Sequence, residues 1–297
     1  MEALTGVLVQ GLILSIMTLG VYMSYKILDF PDMTADGSFT LGGAIIAIAL
    51  KSGVPPMMGS VLAFMAGLAA GFITGWLHVK VKISNLLSGI LVMGILYTVN
   101  LRIMGRANIP IFSEANVFMK FNPLIFALIT VALFKISLDR FLQTGLGYTL
   151  KGVGDNPQMM TSLGVEIGRI KILGLMLSNG LVAFSGSIMA QSLGFSDMSM
   201  GIGTLVLGIA SIIIGTSILN KGGHVKDTTL VIAGTLIYQV TVYFAMNMGL
   251  TAVDLKMITS LVIIVFLGAS GLKNSENTKI FGGMSSVKNS KLVKKLS

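Results

Sequence analysis

The chain has 297 residues, 54% of them hydrophobic and only 11% charged, with a mean hydropathy of +0.87. A soluble domain carries about 25% charged residues, so composition points to a membrane protein. There is no cysteine, which excludes disulfides, thiolate chemistry and cysteine-ligated metals. The net charge of +9 does not indicate a nucleic-acid partner, because the basic residues sit in short loops and a tail between apolar runs, as orientation signals do.

In chain order, residues 1–24 are apolar after Glu2 and lack the basic start of a signal peptide, which predicts a retained first span. Residues 27–38 interrupt the hydrophobicity. Residues 40–50 resume it but are too few to cross about 30 Å of hydrocarbon at about 1.5 Å per residue. The second span is therefore predicted to be broken, with irregular backbone lining protein or a watery cavity. Pro55 and Pro56 open the third span, to about residue 76, and a basic loop over 78–82 follows. The fourth span covers about 85–100. A mixed loop over 101–122 holds Arg102, Arg106, Glu114 and Lys120. The fifth span is 123–137.

Residues 139–171 form the one long polar segment between two apolar runs. Gly152-Val153-Gly154-Asp155-Asn156-Pro157 reads as a turn, with Asp155 or Asn156 able to cap and Pro157 suited to a first helical turn. A short helix over 158–163 is expected next, ending at Gly164. A sixth span over 172–191, a seventh over 201–219, an eighth over 228–246 and a ninth over 255–272 complete the hydrophobic part. The tail, 273–297, is polar and carries Lys288, Lys291, Lys294 and Lys295, suiting disorder or contact with anionic lipid. The expected organisation is an all-α polytopic permease domain over 1–272 and a basic tail. Nine spans place the termini on opposite sides. Lys80, Lys82, Arg140, Lys151, Arg169, Lys171, Lys221, Lys226 and the tail outnumber Lys51, Arg102, Arg106, Lys120 and Lys256. The N-terminus is thus expected outside, with the tail and the 139–171 loop in the cytoplasm.

The run from Gly152 to Ala190 resembles the cytoplasmic loop and following span of permease subunits of ATP-binding-cassette importers, of the branched-chain amino acid and ribose type. It shows the small-polar turn, the short helix, Leu163-Gly164-Val165, and a basic residue entering a span rich in small residues. The resemblance covers nearly the whole chain. Asp32-Met33-Thr34-Ala35-Asp36-Gly37-Ser38 is similar to the family's break in the second span. In this form it looks most like the subgroup associated with tryptophan and other aromatic amino acids. The resemblance implies an importer of the bacterial inner membrane with two permease copies. It implies two ATPase subunits, carrying ATP and Mg, that each receive a coupling helix, and an external solute-binding protein. Gly154, Asp155, Asn156, Pro157, Met160, Leu163 and Gly164 would then serve coupling. No GxxxxGK[ST] occurs in the sequence, so no phosphate-cradling loop of that kind is available here, and no cofactor or catalytic role is expected of the chain.

Several residues carry two readings. Asp32, Thr34, Asp36, Gly37 and Ser38 line the pathway, or Asp32 or Asp36 simply satisfies free N–H groups at a turn. Arg102, Arg106 and Glu114 dock the binding protein through complementary charge, or form a solvated loop. Asn100 and Tyr97 could touch substrate, although a tyrosine there more often marks an interface belt. Asn179, Gln191, Gln239 and Asn247 suit interhelical hydrogen bonds. The 20 methionines suit flexible packing rather than a metal path. Gly268-Ala269-Ser270-Gly271 resembles the serine motif of intramembrane proteases, but His78 and His224 fall in loops and cannot serve as its base. An ion-gradient-driven secondary transporter or channel remains the alternative class, though such a carrier has no need of a coupling loop.

Overall fold

The computed structural model describes residues 2–119, 121–218 and 225–247. Ten α-helices make up the described part: α1 (Glu2–Tyr22), α2 (Thr34–Lys51), α3 (Pro56–Val79), α4 (Asn85–Met104), α5 (Pro123–Phe141), α6 (Gly145–Asp155), α7 (Pro157–Ser162), α8 (Ile167–Leu193), α9 (Thr204–Ile218) and α10 (Asp227–Asn247). A two-stranded antiparallel ribbon, β1 (Asn108–Pro110) and β2 (Phe195–Asp197), pairs Ile109 with Ser196. Each of the first eight expected spans contains a helix among the described residues. The ninth, residues 255–272, with Ser270 and the lysine tail, lies outside the described residues.

Five described helices are long and apolar enough to cross a membrane: α1 with its extension, α3, α4, α8 and α10. Their lipid-type faces are plain on α3, α4 and α5, where Leu62, Phe72, Ile90, Ile95, Ile129 and Leu133 are all exposed. α8 is the central post, packed against α1, α2 and α3. Small residues make that packing close, as expected where lipid removes the hydrophobic drive between helices. Gly67 and Gly71 of α3 lie on the backbone of Asn179 and Leu175, and Gly42 of α2 lies on that of Ala183. α9 and α10 pair in the same way, through Gly215 against Leu230 and Gly234 against Ser211.

The irregular stretch before α2 is present. α1 ends in a π-helical turn, Met23–Ile27, and residues 28–33 then run without helix, with exposed Asp29 and half-buried Pro31 and Met33 alternating with buried residues. Asp29 takes the left-handed conformation (φ 51°), which a non-glycine residue seldom adopts. Leu28, Phe30 and Asp32 are buried. One position differs from expectation. The helix resumes at Thr34, not Thr40, so Gly37 and Ser38 belong to a regular helix and the irregular backbone lies ahead of them. The Thr34, Asp36 and Ser38 side chains are engaged by Thr74, Gly203 and Asn179 of neighbouring segments, so they do not compete with the α2 backbone.

The seventh segment is the shorter surprise. α9 begins at Thr204 and has 15 residues, about 22 Å at 1.5 Å per residue. That is less than a hydrocarbon core. The chain reaches its start through the ribbon and residues 198–203, which run down beside α2, with Gly201 against the Asp36 carbonyl.

Candidate functional site

Two clusters occupy the interior and one end of the bundle, and a backbone contact joins them. The interior cluster is built on Asp32, which is fully buried. Its Oδ1 accepts from the Thr34 N–H at 2.9 Å, and its Oδ2 accepts from Asn179 Nδ2 at 2.6 Å. Asn179 Oδ1 in turn accepts from the Ser38 hydroxyl at 2.7 Å. Asn179 stands near the middle of α8, level with Gly67 near the middle of α3. Thr34 shares a 2.7 Å hydrogen bond with Thr74 of α3. No salt bridge reaches Asp32 among the described residues. A buried acid without a cation is costly, and two donors on it, the Thr34 N–H and the Asn179 amide, the latter fixed in turn by Ser38, reduce that cost.

Asp36, one turn further on, faces the other way. Its Oδ2 accepts from the Gly203 N–H at 2.9 Å, and its Oδ1 accepts from the Leu205 N–H at 2.8 Å and the Thr204 hydroxyl at 3.0 Å. These are the free donors at the start of α9, where an anion is favoured by the helix dipole. Asp36 therefore caps α9 across the protein, not its own helix. The turn-capping reading of the two acids holds in geometry: Asp32 serves the turn into α2, and Asp36 serves α9. Nothing in the sequence spacing pairs Asp36 with Thr204. The Gly201-Ile202-Gly203-Thr204 run was the available signal that the seventh segment starts late.

At one end of the bundle lie α6 and α7. Gly152 to Asp155, expected as a turn, are instead the last residues of α6. The break is a single residue, Asn156 (φ −145°, ψ 88°), whose side chain accepts from the Met159 N–H at 3.0 Å and caps α7. Pro157 takes the first helical position, and Gly164 ends the motif with φ +81°. The turn sits later than expected because α6 is a helix in its own right, capped by Thr144 and anchored by buried Leu150 and Val153. Asp155, Asn156, Pro157, Gln158, Met159 and Leu163 are exposed, whereas Met160 folds back against Gly152. The joining contact is Gly154, which lies directly on the carbonyl of Ile27 and the α-carbon of Leu28.

Beside α6, a cavity of about 870 Å³ opens between the ends of α1, α5 and α10, lined by Tyr22, Lys26, Asp139, Lys151, Lys226 and Asp227 among others. Asp139 is its main tie. It accepts from Thr228 at 2.6 Å, Lys135 at 3.0 Å and Lys226 at 3.2 Å. Tyr22 donates to Asp227 at 3.1 Å. Sequence reasoning missed this cluster, because its members are far apart in the chain. A second cavity, of about 590 Å³, lies nearer the ribbon between α1, α2, α8, α9 and α10.

Other expected residues fall as follows. Arg102 and Arg106 are exposed at the ribbon end and Glu114 is half-buried there. Asn100 is buried and donates to the Gly37 carbonyl at 3.2 Å, while Tyr97 is 57% exposed on the apolar outer face of α4. Gln191 bridges Ser60 of α3 and the Val117 N–H, and Gln239 meets Gln10 at 3.4 Å, so the interhelical role holds for both. Asn247 is exposed at the end of α10. His78 lies in the last turn of α3 rather than in the loop, held by the Ile83 carbonyl at 2.9 Å.

Comparison with known proteins agrees with this architecture. Residues 3–268 match the family described as branched-chain amino acid transport system / permease component. The chain is 57% identical over 276 residues to a tyrosine transport system permease protein of Clostridioides difficile (strain R20291), covering 93% of this chain and 94% of that one. It is 33% identical over 283 residues to an uncharacterized protein of Rickettsia prowazekii (strain Madrid E), covering 93% of this chain and all of the other. No solved structure matches. The helices, their lipid-type faces and the family match together identify an all-α, multi-pass protein of the bacterial cell membrane, and the chain belongs to the family of branched-chain amino acid transport system permease components.

Proposed function

We propose that the chain is the permease subunit of an ATP-binding-cassette importer for an amino acid, aromatic by first choice. It works as a homodimer, with ATP and Mg held by a separate ATPase and substrate delivered by an external binding protein. The chain itself performs no catalysis. The observation that carries this reading is the exposed, separately capped α7 joined through α6 and Gly154 to the irregular stretch at Ile27 and Leu28. A push on α7 from an ATPase surface has a packed route to the Asp32 turn and, through α2, to Asp36 and α9. Such a route suits rigid-body switching between two packings. The aromatic substrate is supported by the likeness to the tyrosine transport system permease protein of Clostridioides difficile and by the Thr34-Ala35-Asp36-Gly37-Ser38-Phe39 run.

Orientation follows from charge. Lys26, Lys80, Lys82, Arg140, Lys151, Arg169, Lys171 and Lys226 gather at the α6–α7 end, against Lys51, Arg102 and Arg106 at the ribbon end. The α6–α7 end is cytoplasmic on the positive-inside rule, which puts the N-terminus outside and the ribbon, with Arg102, Arg106 and Glu114, where the binding protein docks.

Purification from the source cell in mild detergent tests the reading. An ATP-binding subunit should travel with the chain. Bulky charged replacements at Asn156 and Pro157 should abolish transport while leaving the protein inserted and dimeric. One observation favours a carrier instead: Asp32 is a fully buried acid with no described cation. Ion-gradient-driven uptake by the chain alone, without ATPase, would establish that class and remove the coupling role of α7.

A further inference from the structure

The cavity of about 590 Å³ below the ribbon is lined differently from the lipid faces, and its chemistry matches one kind of molecule. Its apolar part is formed by Phe39, Met189, Leu207 and Tyr238, with two rings and a flexible thioether that accept a flat side chain. Its polar part is separate. At the rim stands Asp197 of β2, whose Oδ1 takes the N–H and hydroxyl of Ser199 and whose Oδ2 takes Asn108 Nδ2 at 3.0 Å. A carboxylate offers about four acceptor positions, so one remains open on Oδ2. The Ser199 hydroxyl above all, and Asn108 with it, hold the Asp197 carboxyl below the usual carboxylate range, so it is an anion at neutral pH. Gln10 and Gln239 line the same cavity and share only a long 3.4 Å hydrogen bond, which leaves the Gln10 amide N–H₂ available as a donor.

We propose that this cavity is the transit site of an aromatic L-amino acid, with Asp197 receiving the α-ammonium, the Gln10 amide the α-carboxylate, and Phe39, Met189, Leu207 and Tyr238 the ring. The proposal rests on the importer reading above and assigns its substrate site. The cavity's lower wall includes Gly203 and Thr204, which Asp36 holds. Any shift of α2 passed up from the Ile27 contact therefore reshapes the site through the Asp36 carboxylate. Selectivity then resides partly in the membrane subunit and not only in the protein that delivers the substrate.

The test uses the permease–ATPase complex in nanodiscs and proteoliposomes, with L-tyrosine, L-phenylalanine, L-alanine and 3-(4-hydroxyphenyl)propionate as probes. Saturation-transfer NMR is expected to show contact with L-tyrosine, competed by L-phenylalanine and not by L-alanine. Asp197→Asn should weaken L-tyrosine about tenfold, as for a lost charge-assisted hydrogen bond, and leave the propionate, which has no ammonium, unchanged. Val206→Trp, at a lining position that is 45% exposed, should exclude both probes while the complex still assembles. If both variants bind and import L-tyrosine like the parent, the cavity is not the transit site, although the importer reading stands. If the parent complex, supplied with its binding protein, shows no ATP-driven uptake of any aromatic amino acid, the aromatic-importer reading itself fails.

Discussion

Gly154 of α6 lies so close to the carbonyl of Ile27 that no side-chain carbon fits between them. The contact is backbone on backbone, so it transmits displacement without the slack of a side-chain rotamer. Gly154→Ala must push α6 away from the π-helical turn. Overpacking of this kind costs about 1–3 kcal/mol. The expected outcome is a lowered Tm in detergent and a loss of ATP-driven uptake larger than the loss of folded protein. Equal losses of both would mean that Gly154 is a packing residue only.

Asp36 supplies the second transmission point. Removing a side-chain cap costs about 0.5–2 kcal/mol, and here one carboxylate serves two backbone N–H groups and a hydroxyl. Asp36→Ala should therefore fall at the upper end of that range, with Asp36→Asn intermediate because only one amide oxygen accepts. Thermal unfolding of the three proteins gives the order directly. If Asn and Ala were equally harmful, charge at the α9 start would matter more than acceptor geometry.

These two contacts show what the sequence could and could not reveal. The apolar runs are long, so eight helical segments were legible from hydropathy to within a few residues. Asn156, Pro157 and Gly164 act through local backbone rules, and their cap, first turn and stop were legible too. Asp32 and Asp36 were legible as odd, because acids in an apolar stretch are costly. Their partners were not, since Asn179 and Thr204 lie more than a hundred residues away in the chain. The late start of α9 was missed because residues 201–203 were counted into the apolar span, although two glycines flank Ile202 there and Gly201 lies on the Asp36 carbonyl. The Asp139 cluster was invisible for the same reason: Lys226 and Thr228 meet it only after α5 and α10 have packed.

The Asp32–Asn179 pair should behave as a unit. Residues sharing one hydrogen-bond network show interaction energies of about 0.5–3 kcal/mol in double-mutant cycles. Asp32→Asn and Asn179→Ala are each expected to destabilise, and the double variant to lose clearly less than the sum. Additive losses would show that the 2.6 Å contact contributes nothing beyond shape.

Acid should loosen the ribbon before it loosens the bundle. The Asp197 carboxyl is held below the usual carboxylate range, chiefly by the Ser199 hydroxyl, against the opposing effect of partial burial. A depressed folded pKa means that the stabilisation is fully present above the unfolded value, about 3.9 for aspartate, and is lost as pH falls through the folded value. The window therefore opens near pH 4 (about the unfolded pKa) and extends downward. Amide exchange at Ser199, whose N–H donates to Asp197 Oδ1 at 2.8 Å, reports it locally. Protection there should fall through that window in the parent protein and stay flat and low in Asp197→Ala. Protection that is the same at pH 6 and pH 3 in the parent would show that Asp197 does not hold the turn as a carboxylate.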